Sequence, residues 1–141
     1  MRPRGSVTPS GEANSGTVPV VAAVVRLDGA YLVARRPASK RHGGLWEFPG
    51  GKVRPQESAF DALARELLEE MAVTLTEVGD PLFEARDPGA PFVVRFHPAR
   101  IRGEPSPLEH DELRWVATAE LPSLPLAPAD TLFVEKALNR R

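Results

Sequence analysis

The chain of 141 residues contains no cysteine. That excludes disulfides and thiolate metal centres, and it permits a reducing compartment. A large charge of one sign is also missing: 18 Lys and Arg face 19 Asp and Glu, a formal net charge of -1. No global field draws such a chain onto DNA or RNA, so a nucleic-acid polymer is not expected as partner, although single nucleotides are not excluded. No apolar run approaches the ~20 residues of a membrane helix, so no membrane partner is expected. Arg2 and Arg4 are followed by Pro, Gly, Ser and Thr instead of the apolar stretch of a signal peptide. The expectation is a soluble, cytoplasmic protein. His42, His97 and His110 are far apart without paired ligand spacing, which argues against zinc. Between Gly44 and Lys52, Pro49 breaks any phosphate-loop pattern and Val53 replaces its Ser/Thr. Ser123 lacks a nucleophile-elbow context. Nothing in the chain signals an oligomeric state.

What is present suits one compact domain. Hydrophobic residues make up 42%, enough for a core. Residues 1–17 lack periodicity and bulky apolar groups and read as a mobile tail, leaving 18–141 as the domain. Val18–Leu27 is β-branched and apolar, as in a buried strand. Asp28-Gly29 signals a hairpin, with Ala30–Arg35 returning. Pro37–Gly44 reads as a polar loop, Leu45–Phe48 as a short strand broken by Pro49-Gly50-Gly51. Ser58 with Asp61 resembles a capping box, starting a helix to about Met71. Its Phe60, Leu63, Ala64, Leu67 and Met71 form one apolar stripe. Val73–Leu75, Leu82–Arg86, Phe92–Ile101 and Leu113–Val116 read as strands. Pro128 starts a last helix to about Asn139 that buries Leu132, Phe133, Val134 and Leu138. Strands interleaved with two helices predict an α/β fold, a mixed sheet packed between helices.

On the first helix Glu66, Glu69 and Glu70 stand at i, i+3 and i+4, hence on one face. Like charges at that spacing repel. With no lysine or arginine read in register on that face, a cation from solution is expected to neutralise them. Hard divalent ions, Mg²⁺ with Mn²⁺ as substitute, suit carboxylate oxygens, and such a site commonly serves phosphate chemistry.

The run Gly51-x5-Glu57-x7-Arg65-Glu66-Leu67-x-Glu69-Glu70 resembles the signature of the Nudix hydrolases. Gly44-Leu45-Trp46-Glu47-Phe48-Pro49-Gly50-Gly51-Lys52-Val53 is similar to the MutT branch, which hydrolyses nucleoside triphosphates. Leu126-Ala127-Pro128-Ala129-Asp130 is similar to that branch's pyrimidine-preferring, CTP-hydrolysing members. The resemblance covers most of the chain from Val18 to Leu138. It implies a Nudix-type α/β/α sandwich and Mg²⁺-dependent hydrolysis of a small nucleotide. Two positions depart from the pattern. Ala72 replaces a glycine after the helix, and left-handed alanine costs roughly 1–2 kcal/mol, so a longer helix or another cap is expected. Gln56 replaces a glycine before Glu57, so a differently shaped loop is expected there.

The resemblance implies Glu66, Glu69, Glu70, Glu109 and the Gly50 carbonyl as metal ligands, with Glu66 also a general base. Glu57 and Arg65 would support them. Arg36 and Lys52 would contact phosphate. Asp130, Glu47 and Phe83 or Phe92 would form the base pocket, an ionised Asp130 accepting from an amine-bearing base edge and a protonated one also able to donate. Each has a bland alternative: a solvated acidic helix face, a surface arginine, a polar Glu-His-Asp-Glu loop with Glu112 in place of Glu109, a helix-start aspartate, and a Glu47 paired with Lys52 or another cation. Rival activities are hydrolysis of nucleotide sugars or dinucleoside polyphosphates, and base recognition without catalysis.

Overall fold

The structure is a computed structural model that describes residues 16–138. The expected tail lies outside the described residues apart from Gly16 and Thr17, as does Asn139 at the expected end of the last helix.

Strand β1 (Val18–Leu27) runs through the middle of a mixed sheet. The later strands are β2 (Ala30–Arg35), β3 (Trp46–Glu47), β4 (Gly50–Lys52), β5 (Thr74–Val78), β6 (Phe83–Arg86), β7 (Phe92–Arg102) and β8 (Glu112–Ala117). Helix α1 (Ala59–Met71) lies between β4 and β5, and α2 (Pro128–Phe133) follows β8 after a 3₁₀ segment at Thr118–Ser123. β1 pairs parallel with β7 from Val18↔Phe92 to Val25↔Ala99, and antiparallel with β4 through Val20↔Lys52 and Ala22↔Gly50. β2 takes β3 and β8 as antiparallel neighbours, and β7 takes β5 and β6. The Asp28-Gly29 hairpin forms as its sequence predicts, with φ 52° and 78°, the left-handed pair that a two-residue turn requires.

The continuous apolar run of β1 has a direct cause. Successive strand side chains alternate between faces. Val21, Ala23 and Val25 join Leu32, Leu63, Leu67 and Met71 in one core under α1. Ala22 and Val24 join Tyr31, Val33, Phe48, Phe96 and Phe133 in a second core under α2. Both faces are covered, so the α/β/α layering expected from the sequence holds. Leu63, Leu67 and Met71 are fully buried, worth about 1.5–3 kcal/mol each, and they fix α1 against the sheet.

Local differences have local reasons. Gly50–Lys52 is a strand, not a break: Pro49 ends β3, and the glycines then pair closely with β1. Phe60 shares the stripe of Leu63, Leu67 and Met71 yet is 42% exposed, because it sits in the first turn of α1, at the end of the packed face. The last helix is α-helical only to Phe133 and continues as a π turn, Val134–Leu138. It buries Phe133 and Val134, with Leu132 and Leu138 half-buried.

Helix α1 is neither longer nor capped otherwise. Ala72 takes the left-handed conformation itself, φ 59° and ψ 37°, and donates to the Leu68 carbonyl at 3.1 Å. The surroundings over-determine it. Val73 must turn at once into the core, and the next carbonyls of the helix end accept from Ser106 and Leu108, both at 3.0 Å. Gln56 is left-handed too, φ 66°, so the backbone shape of a glycine is kept at both departures. Ala72→Gly should relieve the strain at a smaller entropic cost, for a net gain of about 0.5–1 kcal/mol. The check is a higher urea midpoint at unchanged m.

Candidate active site

Arg65, in the second turn of α1, organises the acids around it. Its Nε donates to Glu57 Oε2 at 2.9 Å and its Nη2 to Glu57 Oε1 at 2.8 Å, a two-pronged fork. Nη2 also donates to the Lys52 carbonyl at 3.1 Å, and Nη1 to Glu66 Oε2 at 2.9 Å. Nη1 lies 3.8 Å from Glu69 Oε1. Contrary to the sequence reading, a cation therefore does stand beside the acidic face. Glu57 in turn accepts from the Arg54 N–H at 2.9 Å. These bonds, that to Arg65 first, pull the Glu57 carboxyl down from 4.5 to about 2. Glu57 and Arg65 thus tie the loop after β4 to the helix.

Two glycines let the helix face come close. A Cβ on Gly51 would lie 2.4 Å from the Glu66 carboxyl, so that carboxyl rests over the β4 backbone. A Cβ on Gly50 would lie 1.9 Å from the Val21 carbonyl oxygen. Behind them Glu70 is 6% exposed and its Oε1 has no hydrogen-bond partner. Burial, the neighbouring Glu66 and the charges of Glu47 and Glu109 push its carboxyl up to about 10. Glu69 faces outward, its side chain 49% exposed.

Glu109 comes to this end on the loop before β8. Leu108 N–H bonds to the Glu70 carbonyl and Asp111 N–H to the Arg35 carbonyl, both at 3.0 Å, which pins the loop across the end of α1. The exposed Glu109 is near enough for Glu70 to feel its charge.

A cleft of about 390 Å³ opens beside Gly50 and Gly51, in the size range of small-molecule sites. Arg36, Glu47, Lys52, Phe92 and Asp130 all line it, as the sequence reading groups them. Phe83 does not. It packs on Phe96 and Phe133 with ring centroids 6.3 and 6.0 Å apart, because β6 turns that side chain into the second core. Arg36 is engaged by Glu47 at 3.0 Å, and Lys52 Nζ lies 5.2 Å from the centre of the Phe92 ring. Asp130 is 7% exposed and accepts from the Phe48 N–H at 2.9 Å. Burial, then the charge of Glu47, raises its carboxyl well above the ordinary value. The cleft therefore favours the protonated Asp130 that can donate as well as accept, one of the two states the sequence leaves open.

Three cleft residues escaped the sequence reading. Arg41 Nε and His42 Nε2 reach Asp87 at 3.2 and 3.1 Å across the rim, and Arg41 Nη2 donates to the Pro88 carbonyl at 3.1 Å. Partners 45 and 46 positions apart leave no periodic signal.

The donors suit a hard divalent ion. They are carboxylate oxygens, and the partnerless Glu70 Oε1 is a buried polar atom that a cation would satisfy. The set is gathered at one end of α1 but not closed into a cage. Among the described residues no three Asp, Glu or His side chains converge enough to hold an ion as they stand, because Glu66 leans on Arg65 and Glu69 points out.

A two-faced mixed sheet, a glycine strand and an acid-bearing helix beside a nucleotide-sized cleft define an α/β domain suited to anionic, cation-bearing ligands. Residues 16–137 match the NUDIX domain, and the chain belongs to the Nudix family. It is 39% identical over 127 residues to the CTP pyrophosphohydrolase of Escherichia coli K12, covering 88% of this chain and 93% of that protein. It is 31% identical over 102 residues to the oxidized purine nucleoside triphosphate hydrolase of Mus musculus, covering 70% and 65%. Its fold matches the crystal structure of a MutT NUDIX hydrolase from Burkholderia pseudomallei with a TM-score of 0.75 and 30% identity, over 85% of this chain and 97% of that one.

The two glycines should respond differently to alanine. Gly50→Ala meets main chain and should cost about 3 kcal/mol or more, read as a lower urea midpoint. Gly51→Ala meets only the tip of Glu66, so it should fold while turnover drops. Acid should separate the Glu57 tie from the rest. A carboxyl lowered from 4.5 to about 2 adds stability that is full above 4.5 and lost as pH falls through about 2. Urea midpoints of the protein and its Glu57→Gln variant should converge over that window. A constant gap would show that the charge of Glu57 adds nothing.

Proposed function

We propose that the protein hydrolyses nucleoside triphosphates to a nucleoside monophosphate and pyrophosphate with the help of Mg²⁺, or Mn²⁺ in its place. The observation that carries this reading is the buried, partnerless Glu70 oxygen beside Glu66, whose carboxyl rests over Gly51, one wall of a cleft that Asp130 also lines. The names of the relatives, which act on CTP and on oxidised purine nucleoside triphosphates, support the same substrate class. The cytoplasmic nucleotide pool would be its setting.

Glu66, Glu69, Glu70 and Glu109, with the Gly50 carbonyl, would hold the ion. When bound it offsets phosphate charge and acidifies a water. Glu66 takes the proton of the attacking water. A new phosphorus–oxygen bond forms, the bridging phosphorus–oxygen bond breaks, and the monophosphate leaves from pyrophosphate. Glu57 and Arg65 keep Glu66 over Gly51. Arg36 and Lys52 orient the phosphate chain. Asp130 reads the base edge beside Phe92, donating or accepting as its proton allows, which suits an edge carrying both an amine and a carbonyl.

The test is a pyrophosphate-release screen over normal, oxidised and methylated nucleoside triphosphates. Labelled water identifies the phosphorus attacked. Glu66→Gln and Glu69→Gln should each lower kcat about 100-fold or more with an unchanged far-UV spectrum, since both changes are nearly isosteric. Release of no pyrophosphate from any substrate would turn the reading towards a binding module. Faster turnover of nucleotide sugars would move it to another branch of the family.

A further inference from the structure

Glu47 is held from two sides. Arg36 Nη1 donates to its Oε1 at 3.0 Å, and His110 Nε2 meets its Oε2 at 2.9 Å. A carboxylate oxygen only accepts, so the hydrogen is on His110 Nε2. The imidazole is nearly buried, its side chain 6% exposed, and Nδ1 has no partner among the described residues. Among the described residues its one side-chain bond is the bond to Glu47.

The two donors are mounted differently. His110 stands in a loop anchored on both sides of it, by Leu108 to α1 and by Asp111 to the end of β2. Arg36 has a long side chain that lines the cleft, where the phosphate chain of a substrate would compete for it. As long as Glu47 holds that guanidinium, phosphate has to take it away. A part-buried carboxylate stripped of every donor is penalised heavily, and the penalty would subtract from substrate affinity.

The geometry points to His110 as a positioning residue, the fixed donor that keeps Glu47 satisfied when Arg36 turns from it to the phosphates of the substrate. This rests on the triphosphate reading, in which Arg36 serves phosphate. The role belongs to Nε2 specifically. Glutamine, whose amide nitrogen reaches about as far as Nε2, should replace it. Asparagine and phenylalanine should not.

The probe is inorganic tripolyphosphate, titrated calorimetrically in Mg²⁺ buffer. His110→Phe and His110→Asn should bind it about tenfold more weakly than the unaltered protein, and His110→Gln about as well. Urea unfolding checks that each variant is folded, and the Asn and Gln pair suffices should the Phe variant fail. In an Arg36→Ala background the same substitutions at His110 should have no further effect on binding, whereas a merely structural histidine would weaken binding there as well. Equal affinity of all variants, loss in His110→Gln, or an undiminished effect without Arg36 would each overturn the proposal. An unaltered protein that fails to bind tripolyphosphate would sink the triphosphate reading itself, and the role of His110 with it.

Discussion

Carboxylates crowd the wrong end of a helix in this protein. Glu69 and Glu70 lie in the last turn of α1, where the helix dipole is negative, and no basic residue stands in that turn. Glu70 is also out of water and next to Glu66. Dipole, burial and like charge all disfavour ionisation there. Such an arrangement persists only if the fold holds it in place and something positive, a proton or a metal ion, compensates. Burial and the neighbouring acids raise the Glu70 carboxyl, which favours the proton there.

Both cores and the glycine strand serve that arrangement. The apolar side of α1, through Leu63, Leu67 and Met71, is fully committed to the sheet, so the helix cannot roll its acids out into solvent without exposing it. Gly50 lets β4 press on β1, and Gly51 leaves room for Glu66 above it. Arg65 then restrains the assembly from the side through Glu57, Glu66 and the Lys52 carbonyl. Sheet, turn and helix are fastened at one point, and the cleft opens beside it.

Much of this was legible because it is local or periodic. The β1–β2 hairpin and α1 follow from apolar runs, an Asp-Gly turn and a Ser58 cap whose oxygen does accept from the Asp61 N–H at 3.0 Å. The acids on α1 follow from spacing alone. What was not legible depends on approach in space. Pro49-Gly50-Gly51 reads as a break, yet Gly50–Lys52 is a strand, pressed so close to β1 that its main chain leaves no room for a side chain at Gly50. A left-handed Ala72 contradicts local preference, and it is explained by the burial of Val73 and the bonds from Ser106 and Leu108 to the helix end. Asp87 and His110 acquire meaning from partners on distant loops. Phe83 and Phe92 are indistinguishable as sequence, and the strands carrying them send one into the core and the other to the cleft.

The same chemistry, a carboxyl group, ends in opposite states within one site. Glu57 has a guanidinium fork and a backbone N–H, and it stays ionised down to about pH 2. Glu70 has burial and other acids, and it holds its proton up to about pH 10. The signs of their linkage to folding are therefore opposite. Glu57 stabilises above 4.5 and stops doing so as pH falls through about 2, whereas the contribution of Glu70 is full below 4.5 and fades as pH rises towards 10. A cation bound by Glu70 must displace that proton, so metal affinity should rise with pH across the same interval. Asp130, raised by burial at the far side of the cleft, sits apart from that exchange, and Glu47 is the one charge that acts on both. Glu47 thus couples the acid cluster to Asp130 electrostatically, and Arg36, which pairs with it at 3.0 Å, bears on both ends at once.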